Sequence, residues 1–287
     1  MRWKRGHQSA NVEDRRGRGG VRGLPGSGPS QLGCGGILIL LVLSVIFKQD
    51  FFSLLDQTGG IDSGPSASVQ DVQPGGVDRD QELKEFVSFV LDDAQAIWHR
   101  TLPTIGAQYR DAKLVLFTDA TRSGCGFAQS ATGPFYCPAD EKVYIDLGFY
   151  RELRSRFGAP GDFAQAYVLA HEIGHHVQTV LGISQEVTRR QQRNRRQANQ
   201  LSVALELQAD CLAGIWAHST DNRNLLEQGD IEEGMAAAAA VGDDRIQRMS
   251  GQYVNPDAFT HGSSQQRVQW FRRGLETGDP DACDTFQ

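Results

Sequence analysis

"GDFAQAYVLAHEIGHHVQTVLG", residues 161–182, decides the fold. It is largely apolar and free of proline, with Asp162 placed to cap its start and Gly182 to stop it, so a helix is predicted here. Within it His171 and His175 stand four residues apart, which sets both imidazoles on one helical face, one turn apart, where they can reach one metal ion. Glu172 is rotated off that line and can serve as general base toward a water at the metal without ligating it. His176 points about 100° away from His175 and reads as a packing or surface residue.

A catalytic zinc site needs a third protein ligand and an open fourth position. The continuation HxxGxxH is absent, because residue 178 is Gln and residue 181 is Leu. A second helix is expected at "LSVALELQADCLAGIWAH", residues 201–218. Glu206 lies inside this apolar stretch, where an unpaired carboxylate is costly and a bound metal removes the cost. Asp210, one turn further on the same face, is placed to accept the free ring N–H of a ligand histidine. The competing reading is a helix with its polar face outward, and two acids four apart in so apolar a segment argue against it.

The flanks set the organisation. Residues 1–33 carry seven Lys/Arg against two Asp/Glu, a net of +5, so the −6 of the 287-residue chain leaves −11 for the rest. Rich in Gly, Arg and Ser, residues 1–31 read as a disordered basic arm. The uncharged apolar run 32–47 follows, and residues 32–55 are expected to hold one transmembrane helix with its flank; a buried core helix is the alternative. Basic residues before the run predict a single pass with the N-terminus in the cytoplasm and the remainder outside the inner membrane. The arm is assigned to topology, and no nucleic-acid partner is expected. Residues 56–79 read as a Gly/Ser/Pro/Asp linker, leaving 80–287 as one folded domain.

Five cysteines suit an exported domain. With Cys34 in the apolar run, Cys125 pairs naturally with Cys137 across a Gly- and Pro-containing stretch, and Cys211 with Cys283; free buried thiols are the alternative, and no CxxC spacing supports a cysteine zinc site. Residues 80–102 show helical spacing, 113–119 and 142–146 read as strands, 230–249 as a helix with a capping box from Asp230 to Glu233, and "HGSSQQRVQWFRRGLETG" as a last helix entered by a serine. The basic stretch 185–200 is a solvated helix face or a connector. Early strands and late helices predict an α+β fold.

HExxH followed by ExxAD resembles the gluzincin arrangement. More closely, "CGFAQSATGPFYCPADEKVYIDL", "LAHEIGHHVQ", "LELQADCLAGIWA", "AVGDDRIQ" and "FTHGSSQQRVQWFRRG" resemble the bacterial neutral zinc metallopeptidase family. The resemblance implies a zincin-like fold with a small sheet above the HExxH helix, zinc held by His171, His175 and Glu206, and Glu172 as catalytic acid/base. The expected reaction is hydrolysis of a peptide or protein substrate, and the developing oxyanion calls for a donor besides zinc. His261 is the first candidate, Tyr253 the second and Arg267 the third; "GDDR" at 242–245 reads as a structural Asp–Arg cluster, with a network around the site as the alternative. The rival reading is a membrane-anchored binding or scaffold protein with a structural zinc, to which Glu172 would be superfluous.

Overall fold

The computed structural model describes residues 1–17, 80–155, 158–159 and 161–286. The sheet grows from the strongest β pattern in the chain, "KLVLF". This strand, β2 (Lys113–Phe117), is flanked by β1 (Val12–Asp14) and β6 (Lys142–Asp146), both parallel to it, and β5 (Phe135–Cys137) closes the other edge antiparallel to β6. Strand alternation divides the side chains. Leu114 and Leu116 pair with Val143 and Ile145 over the main core, while Val115, Phe117 and Tyr144 join Cys137 in a small cluster on the opposite face. A short hairpin, β3 (Ala120–Ser123) and β4 (Gly126–Gln129), is tied to the edge strand by the Cys125–Cys137 disulfide.

Eight helices occur among the described residues. α1 (Gln81–Thr101) buries Phe86, Val90, Leu91, Ala94 and Trp98, the face that its sequence spacing predicts. After α2 (Gly148–Ser155) comes α3 (Asp162–Val180), the HExxH helix, in which all but four of nineteen residues are buried. α4 (Ile183–Arg193) is the basic stretch, a largely exposed helix. α5 (Ala198–Asn222) buries every residue from Leu207 to Ala217. A helix apolar all round must be packed on several sides, and α3 and α5 pack on each other. Gly174 allows the approach: a Cβ there would lie 2.9 Å from the Ala209 carbonyl oxygen and 3.2 Å from its Cα. The expected helix 230–249 is two helices, α6 (Asp230–Ala240) and α7 (Asp243–Met249), because Gly242 is extended (ψ 140°) and packs against the Ser264 backbone. α8 (Ser264–Thr277) starts with a capping box of Ser263 and Gln266, and the Cys211–Cys283 disulfide fastens the C-terminal segment to α5.

Some expectations are corrected. Asp162 and Asp230 are not caps but first helical residues behind Gly161 and Gly229, where their charge favours the positive helix end. The basic arm is not disordered over residues 1–17. Its strand is part of the sheet, Trp3 packs edge-on against Phe86 at 5.5 Å, and the Met1 α-ammonium donates to Asp162 at 2.8 Å and Asp230 at 3.3 Å. The reading as a disordered arm failed because three strand residues need no apolar periodicity when the domain supplies the partners. The expected transmembrane run and the linker lie outside the described residues; among the described residues no helix is long and apolar enough to cross a membrane.

Candidate metal centre and active site

The crossing of α3 and α5 brings together the three residues singled out as ligands. One ligating atom each from His171, His175 and Glu206 lies within 4.8 Å of the others. Glu206 Oε2 is 3.3 Å from His171 Nε2, and its Oε1 is 3.4 Å from His175 Nε2.

The protons of both imidazoles are set by what lies behind them. Asp210, fully buried on α5, has its pKa held low: burial works toward raising it, but the Arg267 guanidinium and His171 more than offset that. The ionised carboxylate only accepts, so at 2.8 Å it takes a hydrogen from His171 Nδ1 and leaves Nε2 as the nitrogen turned toward Glu206. Arg267 on α8 donates to Asp210 through Nε at 2.8 Å and Nη2 at 2.9 Å, with Nη2 also 3.4 Å from His171 Nε2, and Tyr167, one turn before His171, closes the network on Asp210 Oδ1. His175 is oriented by Gln178. The Gln178 amide nitrogen donates to the Leu205 carbonyl at 2.7 Å and Gln208 Oε1 at 3.1 Å, so its oxygen is left to accept from His175 Nδ1 at 2.9 Å. Both Nε2 atoms therefore converge with a carboxylate, the N/N/O donor set of a catalytic zinc site with an open side. Electrostatics agree. Burial opposes charge on His171, yet Asp210 and Glu206 raise its pKa to about 9, while Glu206, despite burial, is held far below the carboxylate range by the two histidines. The pocket attracts a cation, and its donors fit zinc.

These groups open on a cavity of about 560 Å³, whose wall includes Phe149, Val168, Val187, Leu205 and Ile246. Glu172 lines it and is 7% exposed. Among the described residues its carboxylate has no hydrogen bond or ion pair, although every other acid around the centre is engaged. His261 lines the same cavity, half exposed, with Nδ1 3.2 Å from Asp243 Oδ1. Asp243 is itself fixed by the backbone N–H groups of Thr260, His261 and Gly262 at 2.7, 2.6 and 3.1 Å. Burial works against a charged His261, but Asp243 outweighs it and its pKa is raised. Arg267 also borders the cavity but is committed to Asp210. Tyr253 is fully exposed and does not line the cavity, which removes it as a donor candidate.

Sequence reasoning missed Gln178, and of the two readings of His176, packing or surface, the structure takes the first. Gln178 carried a signal, being three residues from His175 on the same helical face. Asp243 lies in "GDDR", read as a structural cluster ahead of a network around the site, and its contact with His261, eighteen residues on, fits the second of these. His176 is wholly buried, accepting from the Tyr136 hydroxyl at 3.0 Å and donating to the Arg110 carbonyl at 2.7 Å, and so ties the HExxH helix to edge strand β5.

Comparison with known proteins bears on this centre. The family described as "Putative neutral zinc metallopeptidase" matches residues 1–286. The Escherichia coli protein YpfJ, described as uncharacterized, is 47% identical over 291 residues, covering 100% of this chain and 99% of its own length. An uncharacterized protein of Mycobacterium tuberculosis is 40% identical over 251 residues, 81% of this chain and 83% of its own. No solved structure matches.

Proposed function

The chain belongs to the neutral zinc metallopeptidase family, and on that premise we propose that it is a zinc-dependent endopeptidase in which Glu172 is the general base and His261 the hydrogen-bond donor to the scissile carbonyl oxygen. The observation that carries this reading is the unpartnered Glu172 carboxylate, turned into the cavity that also exposes His171, His175 and Glu206. A structural metal site has no use for it, which disfavours the scaffold reading.

His171, His175 and Glu206 would hold the metal, with Asp210 and Gln178 keeping both histidines in the ligating tautomer. Zinc, when bound there, supplies a Lewis acid that polarises a carbonyl and makes water acidic near neutral pH. Glu172 takes the proton of the attacking water and passes it to the leaving amine. His261, oriented by Asp243, which also raises its pKa, donates to the oxygen on which negative charge develops. The outer edge of β5, unpaired among the described residues and with Phe135 and Tyr136 lining the cavity, offers main-chain groups to an extended peptide. Two disulfides support a catalytic domain facing an oxidising compartment, and the apolar run 32–47 supports attachment to a membrane.

Exchange of Glu172 for Gln tests the reading, because it removes the base and preserves the side chain's shape. Zinc content should persist while cleavage of an unfolded protein is lost.

A further inference from the structure

The strongest unused feature of the molecule is where residues 1–17 sit. β1 pairs in parallel register with β2, Val12 beside Leu114 and Asp14 beside Leu116, and flanking bonds run from Leu114 N–H to the Asn11 carbonyl at 2.9 Å and from Arg15 N–H to the Leu116 carbonyl at 2.8 Å. Side chains lock the register. Lys142 donates to Glu13 at 3.1 Å, Lys84 to Asp14 at 2.9 Å, and Ser9 to Asp92 at 2.6 Å. β2 is buried from Leu114 to Phe117. Without β1 it would be a bare apolar sheet edge, a site for aggregation, so the segment completes the fold. The family match begins within it.

This placement changes what the basic residues mean. Of the seven Lys/Arg in residues 1–33, five lie in residues 1–17. Four of these five are paired: Arg2 with Glu227, Arg5 with Glu82, Arg15 with Glu13 and Arg16 with Asp14. Arg2 and Arg5 face acids of the domain, whereas Arg15 and Arg16 are paired within the segment itself, whose Glu13 and Asp14 in turn hold Lys142 and Lys84. The departing and returning ends of the intervening segment also meet, with Arg16 Nη1 3.8 Å from Asp80 Oδ2.

We infer that residues 1–17 lie on the same side of the membrane as the catalytic domain. Backbone pairing cannot be made across a bilayer, where unpaired polar groups are excluded. The conclusion also holds if β1 comes from a second, identically oriented copy. Two crossings would need roughly 40 apolar residues, and the run 32–47 has sixteen. This inference stands against the N-in, C-out expectation drawn from charge. The inference rests on strand pairing and is independent of the peptidase reading.

Thiol labelling of the full-length chain in cells tests it. In a Cys34→Ser background the remaining cysteines are the two disulfide pairs. Arg5→Cys and, separately, Tyr253→Cys place single thiols at exposed sites on the N-terminal segment and the domain. A membrane-impermeant maleimide is applied to intact, outer-membrane-permeabilised and fully lysed cells. The expected result is that both positions become reactive at the same stage. Reaction of one position a full membrane earlier than the other overturns the inference. Gln8→Cys, also exposed, repeats the N-terminal measurement, and retention of both disulfides on non-reducing gels shows that each variant has folded.

Discussion

The HExxH helix contributes to two clusters of three potential metal ligands, one at its start and one near its middle, and the two differ in chemistry though not in spacing. At its start Asp162 meets Asp230 and Glu233, and near its middle His171 and His175 meet Glu206; each set brings its ligating atoms within 4.8 Å. The first set is all carboxylate and already holds a cation, the Met1 α-ammonium, against Asp162 and Asp230. The second has two imidazole nitrogens, each ring fixed from behind by a dedicated acceptor, and opens on a cavity beside a carboxylate that has no hydrogen bond among the described residues. Proximity of ligands does not make a metal site. The tautomer-setting partners and the open side do.

That contrast can be broken by metal analysis. Glu206→Ala should lose zinc completely, whereas Glu233→Ala, in the other cluster, should keep it; zinc per chain in the two purified proteins decides, and retention in Glu206→Ala would move the third ligand elsewhere. His261→Ala should keep zinc and lower kcat by about 10²–10³, the scale for a lost oxyanion donor, with KM little changed. Tyr253→Phe, remote from the cavity, should turn over normally in the same steady-state assay. The mildest change is expected behind the metal. Asp210→Asn should weaken zinc binding by roughly 10–100-fold, as for other partners of ligand histidines. A competitive chelator titration measures it, and an unchanged affinity would show that Arg267 and Tyr167 suffice to orient His171.

Sequence alone named the residues that meet where the two helices cross, and of their supports Asp210 but not Gln178, for a physical reason. His171, Glu172, His175, Glu206 and Asp210 sit on two helices whose periodicity fixes which residues share a face, and Glu206 announced itself as an acid in an apolar stretch. The crossing that joins the helices depends on Gly174, which no motif marks. Asp243 holds His261 through a loop–helix contact between elements that periodicity does not relate. The N-terminal strand was missed because positive charge and glycine dominated the reading, while Glu13 and Asp14, which bind Lys142 and Lys84, are informative only once the sheet exists.

The most direct test of the central claim compares zinc content and proteolysis in one variant. Purified Glu172→Gln, loaded and assayed beside the unaltered chain on a reduced, unfolded protein, should bind one equivalent of zinc, melt at the same temperature and cleave slower by orders of magnitude. Cleavage at the unaltered rate with zinc bound would contradict the assignment of Glu172 as the base, and with it the account of this cavity as a peptidase active site.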